Sequence, residues 1–86
     1  MNNFSIIWPP RLCVDLASVW LDASDRKAVT AAQAAIDRIL AVDPCGRGQH
    51  LSEGLYKLRV SPLTVFHSLD QTALKVYVED LYYDPT

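Results

Sequence analysis

Beyond the strand-like residues 3–8, the hydrophobic period of this chain changes once, at Asp43-Pro44-Cys45-Gly46, and that change dictates a mixed fold. Before it, apolar residues recur at spacings of three and four, the repeat of a helix with one buried face. After it they alternate with polar residues, the repeat of a strand with one buried face. Proline disfavours a helical residue before it and glycine tolerates the turn beyond, so the helical part stops here.

The elements can be placed on that frame. Residues 3–8 set Phe4, Ile6 and Trp8 against Asn3, Ser5 and Ile7, which predicts a strand. Pro9-Pro10 ends it and suits the first turn of a helix, where the missing N–H had no partner. Leu12, Cys13, Leu16, Val19 and Trp20 then form one apolar helical face. A break near Leu21–Ser24 comes next, with Asp22 or Ser24 placed to cap the second helix. That helix runs from Asp25 to about Val42, with Val29, Ala32, Ile36, Ile39 and Leu40 on one side. The connection is short, which predicts an antiparallel helical hairpin. Beyond the loop 46–54, with a short strand at His50–Ser52, strands are expected at 55–60, 63–69 and 73–81. Ser61-Pro62 and Asp70-Gln71 mark the turns. The expectation is an α+β domain spanning 1–86: an N-terminal strand, a helical hairpin, then a three- to four-stranded antiparallel sheet.

Half of the 86 residues are apolar, a generous share for a domain that hides only about 60–65% of its unfolded surface. Some of that apolar surface is therefore expected to face a partner. No stretch approaches the roughly 18–20 apolar residues of a membrane span, and Met1-Asn2-Asn3-Phe4 does not resemble a secretory signal, so a cytoplasmic protein is expected. Cys13 and Cys45 lack metal-knuckle spacing and are expected as buried, reduced thiols. No metal and no cofactor are expected. The formal net charge is −2, and each half of the chain carries four basic and five acidic residues. The total therefore lacks the basic excess of a nucleic-acid binder, and only a local arrangement could supply one.

Lys57 and Arg59 are that arrangement. Two residues apart on a strand, they share one face, opposite Leu58 and Val60. Arg47, in Gly46-Arg47-Gly48, sits where a pliable backbone could bring its guanidinium to a phosphate. Tyr77 faces with Lys75 and Glu79 and could stack on a base. His50 reads as a surface histidine and His67 as a core-side one. Tyr82 and Tyr83 read as anchors of the C-terminal tail.

The order of elements, and several short segments, resemble the RelE/ParE superfamily of toxins from type II toxin–antitoxin pairs. The segments are Ile7-Trp8-Pro9-Pro10, Asp15-Leu16-Ala17, Trp20 with Asp25-Arg26 and Val29-Thr30, and Ile36-Asp37-Arg38-Ile39-Leu40 with Asp43-Pro44. Ser52-Glu53-Gly54-Leu55-Tyr56-Lys57-Leu58-Arg59-Val60, Pro62-Leu63-Thr64-Val65 and Val76-Tyr77-Val78 complete them. The resemblance implies a toxin neutralised by a cognate antitoxin; a homodimer is compatible with it. RelE-branch members cleave mRNA on the ribosome, whereas ParE-branch members poison DNA gyrase. In the first case Lys57 and Arg59 fall where such toxins place catalytic basic residues, and Arg47, Lys57, Arg59 and Tyr77 would bind the nucleic acid. The departures are specific. Thr64 stands where these ribonucleases carry an arginine, Tyr82-Tyr83-Asp84-Pro85 replaces C-terminal arginine, and Asp80 and Asp84 bring negative charge towards a polyanion. A gyrase-directed toxin, or a member that only binds its antitoxin, is the alternative.

Overall fold

The computed structural model describes residues 3–46, 48–52 and 54–84. β1 (Ser5–Ile7) leads into α1 (Pro10–Asp22) and α2 (Arg26–Val42). β2 (Gln49–Ser52), β3 (Leu55–Val60), β4 (Leu63–Asp70) and β5 (Lys75–Tyr83) complete the chain. The strands make one sheet in the order β1-β5-β4-β3-β2. β2 to β5 are antiparallel neighbours, and β1 joins the far edge parallel to β5. The expected architecture therefore holds, with β1 as the fifth strand of the sheet.

Both helices lie on one face of this sheet. The burial obeys the two sequence periods: Leu12 from α1, and Val29, Ala32, Ile36 and Leu40 from α2, meet Leu58, Leu63, Val65, Val76, Val78 and Leu81 from the strands. Phe4, Ile6 and Trp8 close one end, and the Trp8 indole donates to Asp37 Oδ1 at 3.0 Å. The hairpin is locked by one side chain. Arg26, the first residue of α2, donates to the carbonyls of Trp20 and Leu21 at 3.1 and 2.9 Å, satisfying the end of α1. Its guanidinium also lies 4.8 Å from the Trp20 ring centre.

Several local expectations are corrected. The cap of α2 is Asp25, which accepts from the Ala28 N–H at 3.1 Å, rather than Asp22 or Ser24. Helical geometry begins one residue later than the composition suggests, and the cap moves with it. On α1, Leu12, Leu16 and Val19 turn inward, but Cys13 and Trp20 are exposed. Two helices of different lengths leave a groove between them instead of closing over both. Cys13 is thus an exposed thiol and Cys45 a half-buried one, both free. The last hairpin turn is longer than Asp70-Gln71: Asp70 Oδ1 accepts from Ala73 N–H, and Leu74 takes a left-handed φ of 54°. β5 consequently begins at Lys75 and includes Tyr82 and Tyr83.

No helix among the described residues is long and apolar enough to cross a membrane.

Ile36 is fully buried at the centre of the core, so Ile36→Ala should lower stability by about 2–5 kcal/mol, read as a lower urea midpoint. Val14, 65% exposed on α1, is the control: Val14→Ala should stay within about 0.5 kcal/mol.

Candidate functional site on the open sheet face

The helices leave the other face of the sheet to solvent, and that face carries the sequence-predicted residues. The register sets them in rows across the strands. Leu55, Ser68, Tyr77 and Ile7 form one row. Lys57, Phe66 and Asp80 form the next, and Arg59, Thr64 and Tyr82 the third. Lys57 and Arg59 therefore do share a face, as the alternation required. Tyr77 lies on the same face but in the first row and two strands away, about 10 Å from β3 by strand spacing alone. It stands apart from the basic pair. Arg47 lies outside the described residues.

The basic pair has acidic company. Arg59 donates to Thr64 Oγ1 at 3.2 Å, and its guanidinium lies 3.9 Å from the Asp84 carboxylate. Asp84 is held there because its N–H donates to the Pro62 carbonyl at 2.8 Å. Both partners of the ion pair are substantially exposed, so it adds little stability, but it does offset charge where a phosphate would approach.

A β-bulge supplies the rest. His67 pairs with Val78 and Phe66 with Asp80, so Glu79 is one residue more than β4 can match. Val78 and Leu81 are both buried, and the two residues between them both turn outward. Glu79 accepts from the Ser68 hydroxyl at 2.7 Å, and Asp80 accepts from the Tyr82 hydroxyl at 3.0 Å. Strict alternation would have sent Asp80 inward with Val76 and Val78. Instead, two carboxylates stand side by side on the open face. Arg11 from α1 reaches the Glu79 carbonyl at 3.0 Å, beyond the end of short β1, and so satisfies backbone that the sheet leaves unpaired.

The bulge frames a hollow of about 250 Å³ lined by Leu55, Phe66, Glu79, Asp80 and Tyr82. Phe66 and Tyr82 meet edge to face there, with ring centres 5.6 Å apart. The hydrogen bond to Asp80 raises the Tyr82 phenol above its usual pKa, helped by the carboxylate's charge and by burial. Tyr82 is thus a protonated donor on the open face, and only Tyr83 packs on the core as an anchor. Sequence reasoning placed both tyrosines in the tail because a bulge leaves no periodic signal.

The two histidines separate as expected. His50 is exposed on β2 beside Tyr56, with ring centres 5.0 Å apart. His67 is fully buried on the helix side, stacked on Tyr56, and its Nε2–H donates to the Pro44 carbonyl at 2.8 Å. A carbonyl can only accept, which fixes this tautomer and leaves Nδ1 buried without a partner. Gly48 lies close by; a Cβ there would come within 2.9 Å of the Lys57 carbonyl, so this approach requires glycine. The Tyr56 phenol is held above its usual pKa, first by a hydrogen bond with the Cys45 thiol. No group of three or more His, Cys, Asp or Glu among the described residues could hold a metal ion.

No protein-family model and no curated protein sequence matches the chain. Its fold does have a solved counterpart: a chain of the toxin–antitoxin complex RelBE2 from Mycobacterium tuberculosis. The two agree with a TM-score of 0.80 over 100% of this chain and 97% of that one, at 13% sequence identity. The fold is RelE-like. The likeness runs from β1 to β5 and confirms the expected architecture at an identity too low to transfer any residue's role.

Burial lowers the His67 pKa from its usual 6.5, only partly opposed by the bond to Pro44. The unfolded chain therefore binds more protons between the two values. Stability should be complete above pH 6.5 and fall as the pH drops below it, through the folded-state value. Urea midpoints between pH 7.5 and 5 check this: the wild type should decline, and His67→Leu should be flatter over the same range.

Proposed function

We propose that this chain is the toxin-fold member of a type II toxin–antitoxin pair, working in the cytoplasm and held by a cognate antitoxin. The observation that carries the proposal is the end-to-end agreement with a chain of the RelBE2 toxin–antitoxin complex. A second feature supports a protein partner. The groove between α1 and α2, about 580 Å³ in size, is lined by Trp8, Cys13, Leu16, Trp20, Leu21 and Val29. Leu21 is 60% exposed beside it, an unusual amount of apolar surface for a small domain. An amphipathic antitoxin helix is the partner such a groove suits.

For the mode of action, binding to a target such as DNA gyrase fits the open face better than ribosome-dependent cleavage of mRNA. Phosphate recognition gains from every cation and loses to every anion near it. Here Glu79, Asp80 and Asp84 share the face with Lys57 and Arg59, and Thr64 holds the position next to Arg59. The cleaving alternative rests on Lys57 and Arg59 lying side by side on that face, where they would stabilise charge at the scissile phosphate.

Induced alone, the protein should slow growth, and co-expression of the adjacent short reading frame should restore it. Normal growth at every expression level removes the toxin reading. Pulse-labelling after induction separates the modes: DNA synthesis should fall before protein synthesis, whereas an early fall in protein synthesis, abolished by Lys57→Ala with Arg59→Ala, would establish the nuclease. Leu21→Glu places a charge at the apolar groove of an otherwise unchanged fold. It should weaken antitoxin binding about tenfold or more by calorimetry, and equal affinity would move the interface elsewhere.

A further inference from the structure

The geometry points to the bulge hollow as a receptor for an arginine side chain carried by an extended segment of a protein partner. This interaction surface is separate from the groove between the helices, and it does not depend on the chain arresting growth.

Three features select that occupant. The first is charge. The hollow's two charged walls, Glu79 and Asp80, are both carboxylates beside an apolar floor of Phe66 and Leu55. No lysine or arginine pairs with either carboxylate among the described residues. Each carboxylate receives one neutral hydroxyl, from Ser68 or Tyr82, and Asp80 also receives the Leu81 N–H at 2.9 Å. These bonds orient the groups without neutralising them, so a cation completes the site.

The second feature is shape. Phe66 and Tyr82 meet edge to face, presenting aromatic surface beside the carboxylates. A flat guanidinium can lie on a ring face while its edge N–H groups reach a carboxylate; a compact, strongly hydrated ammonium does this less well. The volume, about 250 Å³, lies below the roughly 300–1,000 Å³ of pockets that enclose a whole small molecule, and the hollow is open to solvent. It suits one side chain of a larger partner.

The third is access. The hollow sits on the uncovered face of the sheet, where a strand-like segment can cross β3, β4 and β5. Lys57 borders the same row beyond Phe66, so a segment bearing acidic residues next to its arginine would meet a cation there too. A nucleic acid strand on this face would have to bring its phosphates against Glu79 and Asp80.

The test is titration of the folded full chain with the peptide acetyl-Val-Arg-Val-Asp-amide, monitored by amide and aromatic NMR shifts and by calorimetry. The expected result is saturable shifts centred on Phe66, Glu79, Asp80 and Tyr82, weakening with salt. The same peptide with citrulline in place of arginine keeps the shape and removes the charge, and should bind about tenfold more weakly or not at all. E79Q with D80N should lower the affinity for the arginine peptide by a similar factor while leaving the peptide-free spectrum folded. The proposal is overturned if the citrulline peptide binds equally well, or if the shifts fall elsewhere. It is also overturned if a single-stranded RNA oligonucleotide, or a second copy of this chain, occupies the hollow in preference to the peptide.

Discussion

Two helices cannot cover both faces of a five-stranded sheet, and the rest of the molecule depends on that shortage. α1 and α2 are spent on one face, where Leu12, Ile36 and Leu40 meet Leu63, Val65, Val76 and Val78 in a fully buried layer. Hydrophobic burial on that side holds the domain together. The other face must stay compatible with water, and its side chains are free to be selected for what they bind. The basic pair, Tyr77 and Tyr82, and the acidic bulge all stand there for that reason.

The bulge in β5 decides the chemistry of the open face. One extra residue turns both Glu79 and Asp80 outward and restores the inward phase in time for Leu81 and Tyr83 to join the core. Without it, Asp80 would turn inward with Val76 and Val78, and β5 would carry only Glu79 as an acid on the open face. With it, the face is a mosaic: cations along β3, acids along β5, and an aromatic step at Phe66 between them. A polyanion meets repulsion on such a surface. A folded or extended protein segment of mixed charge meets complementarity, which is the physical basis of the partner binding proposed for this face.

The helix side carries a separate polar feature. His67 ties the end of α2 to the sheet through the Pro44 carbonyl, at the expense of an unsatisfied Nδ1. Gly48 permits the close approach of β2 to β3 next to it. A buried imidazole held neutral in this way makes a structural pin rather than an acid–base catalyst, because neither nitrogen faces the open surface where a substrate would lie.

The periods of the sequence determined most of the fold. A threefold-to-fourfold repeat between Leu12 and Leu40, then alternation through Leu58, Val65 and Val76, allow one order of elements and one buried face for each. They also place Lys57 and Arg59 together, since residues two apart on a strand must share a side. Tertiary structure decided what periodicity cannot encode. Whether Cys13 and Trp20 were buried depended on how two helices of unequal length meet. The start of β5 depended on a left-handed Leu74, and the facing of Asp80 on an unmatched Glu79. Each is a relation between segments distant in the chain, fixed by packing and by strand register, and a single strand's own pattern carries no record of the register its neighbour imposes.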